Sequence, residues 1–171
     1  MSELENQTST TPFWRFSLSF YKQAGVSDAC IALQDSFGVD VNLLLFLFWL
    51  AGDGRQLSAE EVKKLDDQVR SWRELTIVPI REVRRKLKGA TTLVEPGKQE
   101  AFRNKIKTVE LEAERLQQEA LHAFTNKGPL GAQAHPADAA VANIGAYERA
   151  MGKKFPKTAV DILANGFKNL P

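Results

Sequence analysis

Adjacent carboxylates are the first residues in this sequence that could do chemistry. Asp66 and Asp67, in LDDQVR, could hold magnesium against a pyrophosphate if another carboxylate followed one helical turn on, since a bridging cation needs several oxygens on one face. The position four residues after Asp66 is Arg70, a salt-bridge partner and not a ligand. A second acidic helix would have to line the same cavity, and Glu110, Glu112 and Glu114 read better as solvated charges. Cys30 lies in an apolar helical pattern with no histidine or basic neighbour, which suits a buried, inert thiol over a nucleophile. One cysteine excludes an internal disulfide, and with His122 and His135 isolated it leaves no Cys/His zinc cluster. No Ser/His/Asp set follows from spacing. The expectation is no metal and no cofactor, and the reading leans away from an enzyme.

Charge gives the clearest surface signal. Arg70, Arg73, Arg81, Arg84 and Lys88 recur at helical spacing, with Arg85 and Lys86 beside them, and the pattern places them on the side of one helix away from its apolar seam. Asp66 with Arg70 and Glu82 with Lys86 are oriented for i,i+4 pairing, so the stripe reads first as a solvated face. Its functional reading is a contact for an acidic protein partner or a phosphate-bearing ligand. A net charge of only +2 argues against nucleic acid.

The elements that position these residues are helical. Val41 to Ala51 holds ten apolar side chains in eleven residues, yet as a helix it covers only about 16 Å of a roughly 30 Å hydrocarbon layer, too short to span a membrane. A helix apolar on every face is expected at the centre of other helices, with Asp40 as N-cap and Gly52 or Gly54 at its exit. Thr11-Pro12 starts a first helix carrying Phe13, Phe16 and Phe20, and Ser27 is expected to cap a second that ends at Gly38. Ser58 and Glu61 form a capping box before Val62, Leu65, Val69, Trp72 and Thr76, and Ile80, Val83 and Leu87 resume that alternation after Pro79. Pro79 predicts a bend between Thr76 and Pro79. A second long helix carries Phe102, Ile106, Val109, Ala113, Leu116 and Ala120, making an antiparallel hairpin whose seam needs covering by the N-terminal helices. No strand pattern is visible.

At 171 residues, with 26% charged and 43% hydrophobic residues, the chain reads as an all-α helical bundle built on that hairpin. The expected divisions are a disordered polar arm over 1–11, which lacks the features of a secretory signal, a bundle domain over 12–127, and a linker with a C-terminal helical appendage over 128–171. In the appendage Val141, Ile144 and Tyr147 share a helix face suited to the bundle or a partner, while Lys153, Lys154 and Lys157 around Phe155 give only weak support for peripheral membrane contact.

Two segments, FWRFSLSFYKQAGVSDACIALQDSFGVDVNLLLFLFWLA over 13–51 and SWRELTIVPIREVRRKLK over 71–88, resemble a family of small, predominantly proteobacterial helical proteins catalogued as a domain of unknown function. The resemblance rests on Phe13-Trp14-Phe16, Leu33-Gln34-Asp35, Val41-Asn42-Leu43-Leu44, Trp72-Arg73, Pro79-Ile80-Arg81 and Arg84-Arg85. It implies a helical fold and a bacterial cytoplasm, and no chemistry. The expected function is therefore a cytoplasmic interaction or accessory protein of a bacterial assembly. It would meet a protein partner, or form a homo-oligomer, through Arg70, Arg73, Arg81, Arg84, Arg85, Lys88, Val141, Ile144 and Tyr147. The alternative is a small-molecule or lipid-like ligand-binding protein or enzyme, with an apolar pocket under the Val41–Ala51 helix beside Phe46 and Trp49 and its mouth near Asp40 and Asn42.

Overall fold

A helix without a polar face has to be enclosed, and in the computed structural model, which describes residues 10–89 and 93–171, that helix organises its unit. The helices are α1 (Pro12–Tyr21), α2 (Val26–Phe37), α3 (Val41–Gly52), α4 (Ala59–Trp72), α5 (Val78–Lys86), α6 (Pro96–Ala123), α7 (Pro136–Met151) and α8 (Lys157–Lys168). They form two compact units, Met1–Asp66 with Gln118–Pro171 in one and Asp67–Gln117 in the other. Expectations for residues 1–9 and 90–92, most of the polar arm and part of the Gly89–Pro96 connection, lie outside the described residues.

In the first unit every side chain from Asn42 to Phe48 is buried. Asp40 caps α3 as expected, its Oδ1 accepting from the Leu43 amide at 3.2 Å, while its own amide donates to the Tyr147 hydroxyl at 2.9 Å. α1 lays Phe13 and Phe20 on α3, with ring centroids 5.1 Å from Phe46 and 4.8 Å from Phe48. The most extensive cover of α3 comes from α7, and α8 packs on α2 and α7. α2 departs from expectation at its start: Gly25, with φ 77°, makes the turn, and Ser27 lies one residue inside the helix. Gly166 shows how close α8 approaches, since a Cβ there would meet Val26 Cγ2 at 2.5 Å.

Polar groups inside this unit are matched. Ser17 Oγ donates to Gln118 Oε1 at 2.8 Å, and Gln118 Nε2 donates to Asn42 Oδ1 at 3.0 Å. Asn143, on α7, accepts from the Leu57 amide at 2.7 Å and donates to the Leu47 and Arg55 carbonyls, each at 3.0 Å. Glu148 accepts from Lys154 Nζ and the Phe155 amide, both at 2.8 Å, which fixes the turn into α8. Residues 128–136 are not a free connection. Two short strands unseen in the sequence, β1 (Arg55–Gln56) and β2 (Ala132–Gln133), pair antiparallel, and the Arg55 guanidinium donates to the Leu130 and Gly131 carbonyls at 2.7 and 2.8 Å.

Cys30 is fully buried on α2, and loss of hydration pushes its thiol up to about 12. Native protein at about pH 8 is expected to leave an aromatic disulfide reagent unreacted until denaturant is added, because the thiolate is the nucleophile. Stoichiometric labelling without denaturant would show that α2 opens readily.

In the second unit the sequence breaks its own period. Pro79 has no amide and crowds the preceding turn, and immediately before it Arg73–Ile77 widens into a π-turn, with the Val78 amide donating to the Arg73 carbonyl. The disruption falls where the proline placed it. α4 and α5 run antiparallel to α6, held by Trp72 Nε1 donating to the Ala113 carbonyl at 3.0 Å. At the other end Gln99 Nε2 donates to the Leu87 and Gly89 carbonyls at 2.9 and 2.6 Å, satisfying groups left open where α5 ends.

Candidate interaction surface

The π-turn decides which residues this hairpin presents. One extra residue in a turn rotates everything downstream by about 100° relative to a continuous α-helix. Arg81 and Arg84, expected on the outer side, are therefore carried into the seam, with side chains only 16% and 19% exposed. Arg81 reaches Glu110 at 3.0 Å and Glu114 at 2.9 Å, and Arg84 grips both oxygens of Glu110. Glu110, expected to be solvated, is 7% exposed at its side chain. Burial alone would raise its carboxyl, but hydrogen bonds from Arg84 and Arg81, with their charges, leave it below the usual carboxylate range. Of the remaining stripe, Arg70 pairs with Asp67 at 2.7 Å, Arg73 is half-buried, and Arg85 and Lys88 are exposed.

The same rotation turns Val83 outward, and on α6 three apolar side chains also lie outside the seam. Val83 on α5 is 46% exposed, and Phe102, Val109 and Leu116 on α6 are 54%, 52% and 39% exposed. Each of the first three precedes a residue of the seam: Val83 precedes Arg84, Phe102 precedes Arg103, and Val109 precedes Glu110. Arg103 Nε donates to the Arg84 carbonyl at 3.2 Å, so these neighbours do face across. Antiparallel helices are related by a two-fold axis normal to their common plane, so stepping back one residue on either helix leads to the same side of the hairpin. Val83, Phe102 and Val109 therefore share one side of the hairpin, while Leu111, also exposed, stands on the opposite one. The sequence reading assigned the first three to the covered seam, because Phe102 and Ile106 fit one 3,4 alternation equally well.

A family profile described as "Protein of unknown function (DUF2390)" matches residues 12–121. The chain belongs to this family. No curated protein and no solved structure matches it. The DUF2390 match takes in α1 to α5 and most of α6, whereas α7, which closes over α3, lies beyond it.

The other candidate residues are placed differently from a binding surface. Ile144 and Tyr147 are buried inside the first unit, leaving Val141 exposed on α7. Asp40 and Asn42 are buried and hydrogen-bonded to their own unit, and Phe46 lies against Phe13 and Trp49 in an aromatic cluster. A cleft of about 380 Å³ does open beside Trp49, but its other walls are Leu50, Asp53, Arg55, Thr125, Gly128, Pro129, Leu130 and Gln133, away from the expected mouth. Its Arg55 guanidinium is already engaged by the loop carbonyls. Among the described residues no group of three or more His, Cys, Asp or Glu could hold a metal ion, and no helix is long and apolar enough to cross a membrane.

Proposed function

We propose that this chain is a non-enzymatic interaction or accessory protein of a bacterial, cytoplasmic assembly, and that it docks through the apolar side of the α4–α5–α6 hairpin. The observation that carries this reading is the half-open row Phe102, Val109 and Leu116 beside Val83 on a unit of only two packed helical arms. Arg81 and Arg84 serve the hairpin itself, so the basic face contributes at most its exposed rim, Arg85 and Lys88.

The test replaces Phe102 and Val109 together with aspartate in full-length protein. Exposed positions tolerate charge, so far-ultraviolet circular dichroism and the melting transition should stay close to the wild type. Native mass spectrometry of protein purified gently from its own organism should show a polypeptide mass on the wild type and none on the variant. A bound polypeptide retained by the variant would place docking elsewhere and defeat the reading.

A further inference from the structure

The charges beside the apolar row say what would cover it. Phe102, Val109 and Leu116 recur every seven residues along α6, the repeat that lets one helix follow another over several turns. Lys105 and Glu112 also stand seven apart, on the flank of that row farther from α5, and both are exposed. Arg115 holds the Glu112 carboxylate from within the helix at 2.7 Å, while the lysine stands one turn before Val109 and the glutamate one turn after it.

We propose that the occupant is a second copy of this chain, with the two α6 helices antiparallel about a two-fold axis at Val109. This deepens the docking reading above and rests on it. In that register Val109 meets its own copy, Phe102 meets Leu116, and Lys105 meets Glu112 twice, once on each side of the axis. A two-fold axis parallel to the helices would instead bring this flank against the partner's opposite flank, where α5 lies, so Lys105 and Glu112 face each other only in the antiparallel arrangement. The two hairpins together make a four-helix bundle with Val83 inside, the simplest enclosure for an apolar side that two helices leave open.

Full-length protein is tested by sedimentation equilibrium across a concentration series at low salt. The wild type is expected to dimerise. Lys105→Glu alone and Glu112→Lys alone should each weaken the dimer by about tenfold, since each creates two like-charge contacts, and the double swap should restore it. In a Cys30→Ala background, Val109→Cys should oxidise to a disulfide-linked dimer and Leu111→Cys, on the opposite side, should not. Two single swaps without effect, or no rescue by the double swap, would overturn the antiparallel register. A chain that stays monomeric while Phe102 and Val109 remain essential for holding a different polypeptide would overturn self-association and leave the docking reading standing. Loss of both would remove the docking reading as well.

Discussion

Asn143→Ala is expected to lower the stability of the full chain by about 3 kcal/mol, a large loss for a single side chain. The amide side chain is 1% exposed and makes three hydrogen bonds at once, to the Leu57 amide and to the Leu47 and Arg55 carbonyls. Alanine leaves the buried Leu57 amide and the part-buried Arg55 carbonyl without that partner. The Arg55 carbonyl lies in the Arg55–Gln56 strand and the Leu57 amide directly follows it, before α4, so the chain's path from α3 into α4 is no longer fixed there. Urea unfolding should show the midpoint falling with an unchanged slope, because the folded state keeps its surface. Asn143→Asp separates acceptor from donor. Its carboxylate can still accept from Leu57 but has nothing to give the two carbonyls, so its folded-state pKa is raised and its stability should fall as pH rises above about 4. Equal stability of the aspartate variant and the wild type at neutral pH would mean that the donor half of the amide is dispensable.

Much of the first unit was legible because its signals are local. Asp40 before an apolar run and the box of Ser58 with Glu61 each formed as read, the latter with bonds of 2.8 and 3.2 Å. The apolar content of Val41–Ala51 alone required neighbours on all sides, and α1 and α7 are two of them. Which helices would enclose it was not legible. Tyr147 and Asn143 lie more than ninety residues from the backbone groups of Asp40 and Leu47 that they satisfy, and no spacing rule connects such positions. An amide among the small residues Ala139, Ala140, Ala142 and Gly145 of α7 is the one sign of Asn143 that the sequence carries. The Arg55–Gln133 pairing escaped because two residues per strand carry no alternation to count.

The hairpin was legible as a hairpin and misread as a surface, for a single physical cause. Pro79 was read as a bend, whereas the backbone responded with a wider turn over Arg73–Ile77 that changes the phase of every residue after it in that arm. A wheel drawn at 100° per residue through both arms sends Arg81 and Arg84 outward and Val83 inward, and the structure reverses both. Two rows on α6 were equally apolar in the sequence. Only the facing arm decides between them, and it chose Ile106 and Ala113 with Glu110, leaving Phe102 and Val109 outside.

That reversal makes Glu110 the residue on which the hairpin most depends. Glu110→Gln is expected to cost about 3 kcal/mol at neutral pH, because it removes the charge that compensates two largely buried guanidinium groups while keeping the side chain's size. Lys88→Gln, on an exposed position nearby, should stay within about 0.5 kcal/mol of the wild type. The pH dependence comes from the depressed Glu110 carboxyl. A group whose folded-state pKa lies below its unfolded value of about 4.3 contributes its full stabilisation above that value and loses it as pH falls through the folded one. The gap between wild type and Glu110→Gln should thus be constant from about pH 6 to pH 8 and close progressively below about pH 4, as the wild-type carboxyl takes up a proton. Urea midpoints measured at a series of pH values decide the matter. A gap that persists undiminished in acid would mean that glutamine fails there through packing, and that the arginines do not need the carboxylate charge.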